Sequence, residues 1–387
     1  MNEGDARGAL PHLKVMTIVG TRPELIKLSR VIAELDRYTR HVLVHSGQNF
    51  DYELNEVFFR DLEIRPPDHY LDAVRGTVAE TIGQVIAKAD QVMEAERPDA
   101  ILIYGDTNTG LAVIPAKRRK IPVFHMEAGN RCFDQRVPEE INRKVIDHLS
   151  DINMPLTEHA RRYLLAEGIR AETIIKTGSS MQEVLGYYWS GIQGSDVLSR
   201  LGVQARQYFV VSSHREENVD CPQRLAEFLR TLEGIAATYD RQVIVSTHPR
   251  TRKRLEGLDT GGLDPRIRFL KPLGFLDYVK LQTQAYCVVS DSGTLTEESS
   301  ILAFPAVMIR QAHERPEGMD EGTLVMSGLR PERVLQAIEM VVGPHQGTDR
   351  VARLVPDYEA GRVSMKVLRI IQSYVDYVNR TVWRLDV

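Results

Sequence analysis

The chain has 387 residues, 43% of them hydrophobic and 26% charged, with 49 Lys plus Arg against 53 Asp plus Glu. That size and composition fit two globular domains, each able to bury its own core. A net charge of −4 with no basic block excludes nucleic acid as the main partner, and three scattered cysteines (Cys132, Cys221 and Cys287) exclude a disulfide framework or a CxxC zinc site. The leading residues show no cationic segment followed by an apolar stretch, and no apolar run approaches the ~20 residues of a membrane helix. A cytoplasmic chain with no membrane partner is expected.

In chain order, Lys14–Val19 predicts a strand, followed by Gly20-Thr21-Arg22-Pro23 and a helix over Glu24–Leu35. Pro23 suits the first helical positions. His41–His45, Ala100–Tyr104 and Ile121–His125 are the next strands, interleaved with helices at Thr77–Glu96, Thr107–Arg119, Glu139–Ser150 and Glu158–Glu167. The pattern weakens over Thr177–Ser195, which places the domain junction there. It restarts with strands at Tyr208–Ser212, Gln242–Ser246, Arg266–Leu270, Ala285–Ser290 and Ala306–Ile309. Alternating strands and helices imply parallel sheets covered on both faces. The fold class expected is α/β, with two Rossmann-like, doubly wound domains facing across a cleft. Their bounds are 1–180 and 181–361, and an amphipathic helix within 362–387 is expected to cross back onto the first domain.

The residues just past each strand carry the chemistry. Lys27 lies one turn beyond the GTRPE (Gly20–Glu24) that follows the first strand, and Asp106, Glu127, His214, His248, Ser292 and Arg310 each stand just past a later one. One polar residue after a strand is an ordinary cap. Seven on one sheet edge point to a ligand site, where doubly wound sheets place theirs. Ser292-Gly293-Thr294, between a strand and a helix over Leu295–Leu302, lets backbone N–H groups approach a diphosphate. Arg22, Lys27 and Arg310 can supply countercharge. Desolvation at the strand ends is expected to raise the Asp106 and Glu127 carboxyls toward the acid/base range. Glu139 and Arg143, four apart, share a helical face. His214 is the histidine expected to act as an acid or base; His248 is equally a turn residue. No GxGxxG comes after a strand, and GxxxxGK[ST], HExxH and GxSxG are absent, so neither a nicotinamide cofactor nor a catalytic metal is expected.

As a set and in order, GTRPELIK (Gly20–Lys27), GDTNT (Gly105–Thr109), HMEAGNR (His125–Arg131), PEEINR (Pro138–Arg143), SHRE (Ser213–Glu216), SDSGTLTEE (Ser290–Glu298) and ERPE (Glu314–Glu317) resemble the non-hydrolysing UDP-N-acetylglucosamine 2-epimerases. HSGQNFDYELNEVFF (His45–Phe59), FHMEAGNRCFDQRVPEE (Phe124–Glu140), STHPRTR (Ser246–Arg252) and IRQAHERPEG (Ile309–Gly318) resemble the branch that makes UDP-N-acetyl-L-fucosamine from its 6-deoxy-L-talose epimer. Two departures stand out. Gly47-Gln48-Asn49-Phe50 replaces a GQH-type sequence, which puts the family's allosteric second substrate site in doubt. Gly293-Thr294 replaces the usual Gly-Gly.

The resemblance implies the GT-B-like fold, no cofactor, a UDP-sugar ligand, a homodimer and a role in surface polysaccharide synthesis. It implies expulsion of UDP to a 2-acetamidoglycal and its re-addition, with Asp106, Glu127 and Glu139 as acid/base carboxylates. His214 would act on the leaving diphosphate with Arg22 and Lys27 nearby, and Arg143 would orient Glu139. Ser292, Gly293, Thr294 and Glu298 would hold phosphates and ribose, supported by Arg310. Leu273-Gly274-Phe275 would receive uracil through backbone contacts and an apolar face. UDP-N-acetylglucosamine is the rival substrate. A hydrolysing epimerase, a GT-B glycosyltransferase and a UDP-sugar sensor are the rival activities.

Overall fold

Strand β1 (Lys14–Val19) buries five of its six residues in a row, the pattern of a strand covered on both faces. The computed structural model describes residues 12–47, 52–255, 262–344 and 352–386; Gln48, Asn49 and Phe50, which carry the departure from GQH, lie outside them. β1 is joined in one parallel sheet by β2 (Arg40–His45), β3 (His69–Tyr70), β4 (Ala100–Tyr104), β5 (Val123–Met126) and β6 (Ile152–Met154), in the order β3-β2-β1-β4-β5-β6. The second parallel sheet holds β7 (Tyr208–Ser212), β8 (Gln242–Ser246), β9 (Ile267–Leu270), β10 (Cys287–Ser290), β11 (Ala306–Met308) and β12 (Val325–Met326), in the order β12-β11-β10-β7-β8-β9. In each sheet the strand order reverses between two neighbours, β1 and β4 in the first and β7 and β10 in the second. Ligand crevices open outside the strand ends at such points.

The helix Arg22–Tyr38 buries Leu25, Leu28, Val31, Ile32 and Leu35 along one face. The last helix, Val363–Thr381, adds Val367, Leu368, Ile371, Val375 and Val378 to the same core. The chain therefore returns to the first sheet after completing the second, and Arg362 reaches Glu34 at 3.1 Å. The segment read as a junction is helical at Met181–Tyr187 and Trp189–Gly194. Its Met181, Val184, Leu185 and Ile192 join the first core, as do Phe275 and Val279 from the second half.

Three strands escape the sequence pattern: β3, β6 and β12 are two or three residues long, too short to show a period. The helix Tyr52–Asp61 is likewise additional to the expected elements. The single helix expected over Thr107–Arg119 is a 3-10 turn at Asn108–Ala112 running into a short α-helix at Val113–Arg118. Gly110 lies so close to Ile146 that a Cβ there would meet its Cδ1 at 2.4 Å, so the tighter turn fits beneath the helix Pro138–Leu149.

Candidate active site

The ends of β4 and β5 deliver the first two carboxylates. Gly105 adopts φ +68°, turning the chain so that Asp106 leaves the sheet edge. Arg143 Nε donates to Asp106 Oδ2 at 2.8 Å, and Asn142 Nδ2 donates to the Asp106 carbonyl at 3.0 Å. Burial pushes the Asp106 carboxyl up, and Arg143 only partly offsets it; the charges of Glu127 and Glu139 add to the rise.

Glu127 also has a left-handed backbone, φ 62°. Its Oε2 accepts from Lys27 Nζ at 2.6 Å and from the Tyr104 hydroxyl at 2.6 Å, and lies 3.0 Å from Arg315 NH2. Burial alone would raise this carboxyl, as the sequence suggests. Arg315 and Lys27 outweigh burial and hold it well below the usual carboxylate range. The expected rise is thus met at Asp106 and reversed at Glu127, because two buried cations stand at the second and one at the first.

The helix Pro138–Leu149 presents adjacent carboxylates to different surroundings. Glu140 is buried, accepting from Cys132 N at 3.0 Å, Phe133 N at 3.2 Å and Arg143 NH1 at 2.8 Å. Glu139 is more open and lies 3.6 Å from Arg215 NH1. Arg143 therefore braces Glu140 and Asp106 rather than orienting Glu139, which corrects the expectation from their shared helical face. The two backbone N–H groups draw Glu140 inward to Arg143, and Glu139 points instead toward the second domain.

Across the cleft, β7 and β10 meet at the point where the strand order reverses, with Ser212 paired to Ser290 and their hydroxyls 2.7 Å apart. Just beyond, Asp291 accepts from Ser213 Oγ at 2.8 Å, from the His214 and Arg215 backbone at 3.1 Å and from Asn218 Nδ2 at 3.0 Å. His214 Nδ1 lies 3.1 Å from Asp291 Oδ1, and the His248 ring centroid is 5.6 Å from that of His214. Burial would raise the Asp291 carboxyl, but His214 and these donors hold it well below its ordinary value. Ser292 Oγ and Thr294 Oγ1 are 3.0 Å apart at the start of the helix Leu295–Leu302. A Cβ on Gly293 would meet Glu314 Oε1 at 2.9 Å, so glycine suits that close approach. Arg310 NH1 donates to Glu314 Oε2 at 3.0 Å.

Cross-domain charges join the two halves. Lys27 reaches Glu297 at 2.8 Å, Arg315 reaches Glu127, Arg215 reaches Glu139, and Arg143 lies 3.8 Å from Glu314. Asp106, Glu127, Glu139, Lys27 and Arg143 thus gather on the first sheet edge, opposite His214, His248, Ser292, Gly293, Thr294 and Arg310. Arg22 opens the first helix with its guanidinium 5.6 Å from the Phe58 ring centroid. Glu298 is buried, accepting from Gln282 Nε2 at 2.7 Å, and burial raises its carboxyl. Leu273 packs against the second core. The Phe275 ring does not offer the apolar face expected for uracil: it is 3% exposed, with its centroid 5.9 Å from that of Tyr188. The helix it begins, Phe275–Gln284, is capped by Gly274, which has no side-chain cap hydrogen bond. Tyr104, Arg215, Asp291, Glu297, Glu314 and Arg315 are members that the sequence does not single out, although Tyr104 adjoins one of its motifs and the others lie within them.

Residues 33–372 match the family model described as UDP-N-acetylglucosamine 2-epimerase. The chain belongs to the UDP-N-acetylglucosamine 2-epimerase family. Like the family, it is an isomerase, a UDP-sugar 2-epimerase. It is 58% identical to the UDP-N-acetylglucosamine 2-epimerase structure from Rickettsia bellii, covering 97% of this chain and 100% of that one with a TM-score of 0.91. A Methanocaldococcus jannaschii UDP-GlcNAc 2-epimerase, solved in complex with UDP-GlcNAc and UDP, is 31% identical with a TM-score of 0.87, covering 93% and 100% of the two chains. A Pseudomonas aeruginosa UDP-2,3-diacetamido-2,3-dideoxy-D-glucuronate 2-epimerase is 33% identical over 337 residues, 86% of this chain and 93% of that protein. The two six-stranded parallel sheets of this epimerase are those of the GT-B-like epimerase fold. No helix among the described residues is long and apolar enough to cross a membrane.

Proposed function

We propose that this epimerase inverts C2 of a UDP-linked 2-acetamido sugar by eliminating and re-adding UDP. The observation that carries the reading is the gathering of three carboxylates where the two domains meet: Asp106 on Arg143 at 2.8 Å, Glu127 on Lys27 at 2.6 Å and Glu139 at 3.6 Å from Arg215. The chemistry needs more than one. C2–H is not acidic while C1 carries its oxygen substituent, because no carbonyl flanks it. Breaking C1–O, with the electron pair leaving on UDP, makes C2–H acidic. A carboxylate takes that proton and the C1=C2 bond of a 2-acetamidoglycal forms. UDP then adds back to C1 while a second group protonates the opposite face of C2. A positioned acid or base contributes ~10²–10⁴-fold.

Asp106, Glu127 and Glu139 are the groups proposed to move these protons, with Lys27 and Arg143 shaping their charge. His214 faces the departing diphosphate, its Nδ1 turned to Asp291. Ser292, Gly293 and Thr294 receive phosphate at a helix start, with Arg22, His248 and Arg310 nearby and Glu298 beneath. Backbone groups at Leu273 and Phe275 receive the base. Domain closure shields the glycal from water.

The substrate proposed from motif wording is the UDP-linked 6-deoxy-L-talose sugar, giving UDP-N-acetyl-L-fucosamine for surface polysaccharide. The names of its relatives favour a second reading, UDP-N-acetylglucosamine. Incubation with each sugar in D2O, followed by proton NMR, tests both. Loss of the C2 proton signal with a new UDP-linked epimer supports the reaction, and the faster sugar names the substrate. Free UDP with free sugar favours hydrolysis, and no exchange at C2 rejects epimerisation of these sugars. A homodimer belongs to the same reading, and light scattering tests it.

A further inference from the structure

We infer that Tyr104 is a positioning residue for Glu127, pinning one carboxylate oxygen so that the other faces the sugar. The inference rests on the proposal that Glu127 exchanges the C2 proton. All three groups that hold the Glu127 carboxylate fall on Oε2: Tyr104 and Lys27 at 2.6 Å and Arg315 at 3.0 Å. Among the described residues no hydrogen-bond partner falls on Oε1, and Oε1 is not among the buried polar atoms that lack one, so it is open to solvent. The carboxylate is thus divided into a tethered oxygen and an open one, which is the arrangement a base requires.

Tyr104 is the group that can set this division. Lys27 and Arg315 are shared with Glu297, at 2.8 and 3.2 Å. Among the described residues the hydroxyl of Tyr104 bonds to Glu127 alone. It is also neutral, so it fixes direction without adding a charge that would compete for the proton. Its ring is buried in the first core, 4% exposed, on a strand whose register pairs Tyr104 with Met126, the residue before Glu127. Donor and acceptor therefore sit on neighbouring strands of one sheet. The backbone gives Glu127 no such security, since a non-glycine residue at φ 62° is strained and persists only where its surroundings impose it. A misplacement of ~1 Å at a reacting group costs as much as ~10²-fold in rate.

The test is Tyr104→Phe, which keeps the ring in its core and removes the hydroxyl. Steady-state kinetics, C2 exchange in D2O and UDP affinity are measured beside Glu127→Gln. The expected result is a kcat lower by ~10–100-fold, with KM and UDP affinity within about threefold of the parent. An unchanged kcat overturns the inference. So does a parallel loss of kcat, KM and UDP affinity, or failure to fold, since each assigns the hydroxyl to structure alone. If Glu127→Gln keeps full exchange, the proposal for Glu127 fails and Tyr104 falls with it. If Glu127→Gln is inactive while Tyr104→Phe is unaffected, only the inference about Tyr104 fails.

Discussion

Arg315, carried by the second domain, lies 3.0 Å from the Glu127 carboxylate of the first. It also lies 3.2 Å from Glu297, and Lys27 closes the ring by contacting both carboxylates. Two cations and two anions alternate across the domain boundary, and Lys27 and Arg315 are each only 3% exposed. Removing one member of such a buried set leaves an uncompensated charge and costs ~3–5 kcal/mol. Arg315→Met is expected to lose stability on that scale in urea unfolding, and to lower kcat by at least ~10-fold through the freed Glu127. Adding Glu297→Gln rebalances the charge and is expected to recover at least ~1 kcal/mol, which a double-mutant cycle reads directly. Additive losses would show that the ring is not one unit.

Glu139 and Glu140 are adjacent, yet their substitutions are expected to differ in kind. Glu140 accepts two backbone N–H groups and Arg143. Glu140→Gln is therefore expected to cost ~2–3 kcal/mol in stability, as for hydrogen bonds to a buried charge. Glu139 is 36% exposed in its side chain, and among the described residues its one ion-pair partner is Arg215, at 3.6 Å. Glu139→Gln is expected to change stability by less than ~1 kcal/mol while lowering kcat by ~10²–10⁴-fold. Normal turnover in Glu139→Gln would remove that residue from the mechanism.

His214 and Asp291 are expected to separate by role. His214→Asn removes the ring that faces the cleft, and kcat is expected to fall ~10²–10⁴-fold with folding intact. Asp291 receives donors from Ser213, His214, Arg215 and Asn218 and is buried, so Asp291→Asn is expected to lower both stability and kcat. The depressed Asp291 carboxyl also has a pH signature. Its stabilisation is present above the unfolded value near 3.8 and is lost as pH falls through the lower folded value. Unfolding measured below pH ~4 is expected to be steeper in the parent than in Asp291→Asn. Equal slopes would mean that Asp291 is not an anion in the native state.

The strand ends are legible in the sequence because the polar residues come directly after unbroken apolar runs: Asp106 after Ala100–Tyr104, and His214 just beyond Tyr208–Ser212. The adjacent glutamates of PEEINR and SDSGTLTEE are legible too, but not the partner of each member. A helix turns about 100° per residue, so which of Glu297 and Glu298 meets Lys27 depends on how a helix of the second domain is set against the first. Arg315 and Tyr104 are silent for the same reason. Arg315 acts through a contact made across the cleft, and Tyr104 reads locally as the last apolar residue of a strand. Phe275 shows the converse, since a motif position does not say which way a ring turns, and its ring is taken up by Tyr188 and the first core.

Glu24, in the first turn of Arg22–Tyr38, is expected to carry a pH dependence of opposite sign. Its Oε2 accepts from Gly20 N at 2.5 Å and Thr21 N at 3.1 Å, and its Oε1 from the Thr107 hydroxyl at 2.6 Å. Burial outweighs these bonds and pushes the carboxyl from 4.5 up to about 7, with the charge of nearby Asp106 adding to the rise. Between those values the folded chain keeps a proton that the unfolded chain has released. The contribution to stability is therefore complete below pH 4.5 and lost as pH rises through about 7. At ~1.4 kcal/mol per pH unit the loss is about 3 kcal/mol. Glu24→Gln cannot titrate, so its urea-unfolding free energy is expected to fall less than that of the parent between pH 5 and pH 8. Parallel curves for the two proteins over that range would show that Glu24 is ionised throughout, and that the Thr107 and backbone donors hold it as an anion.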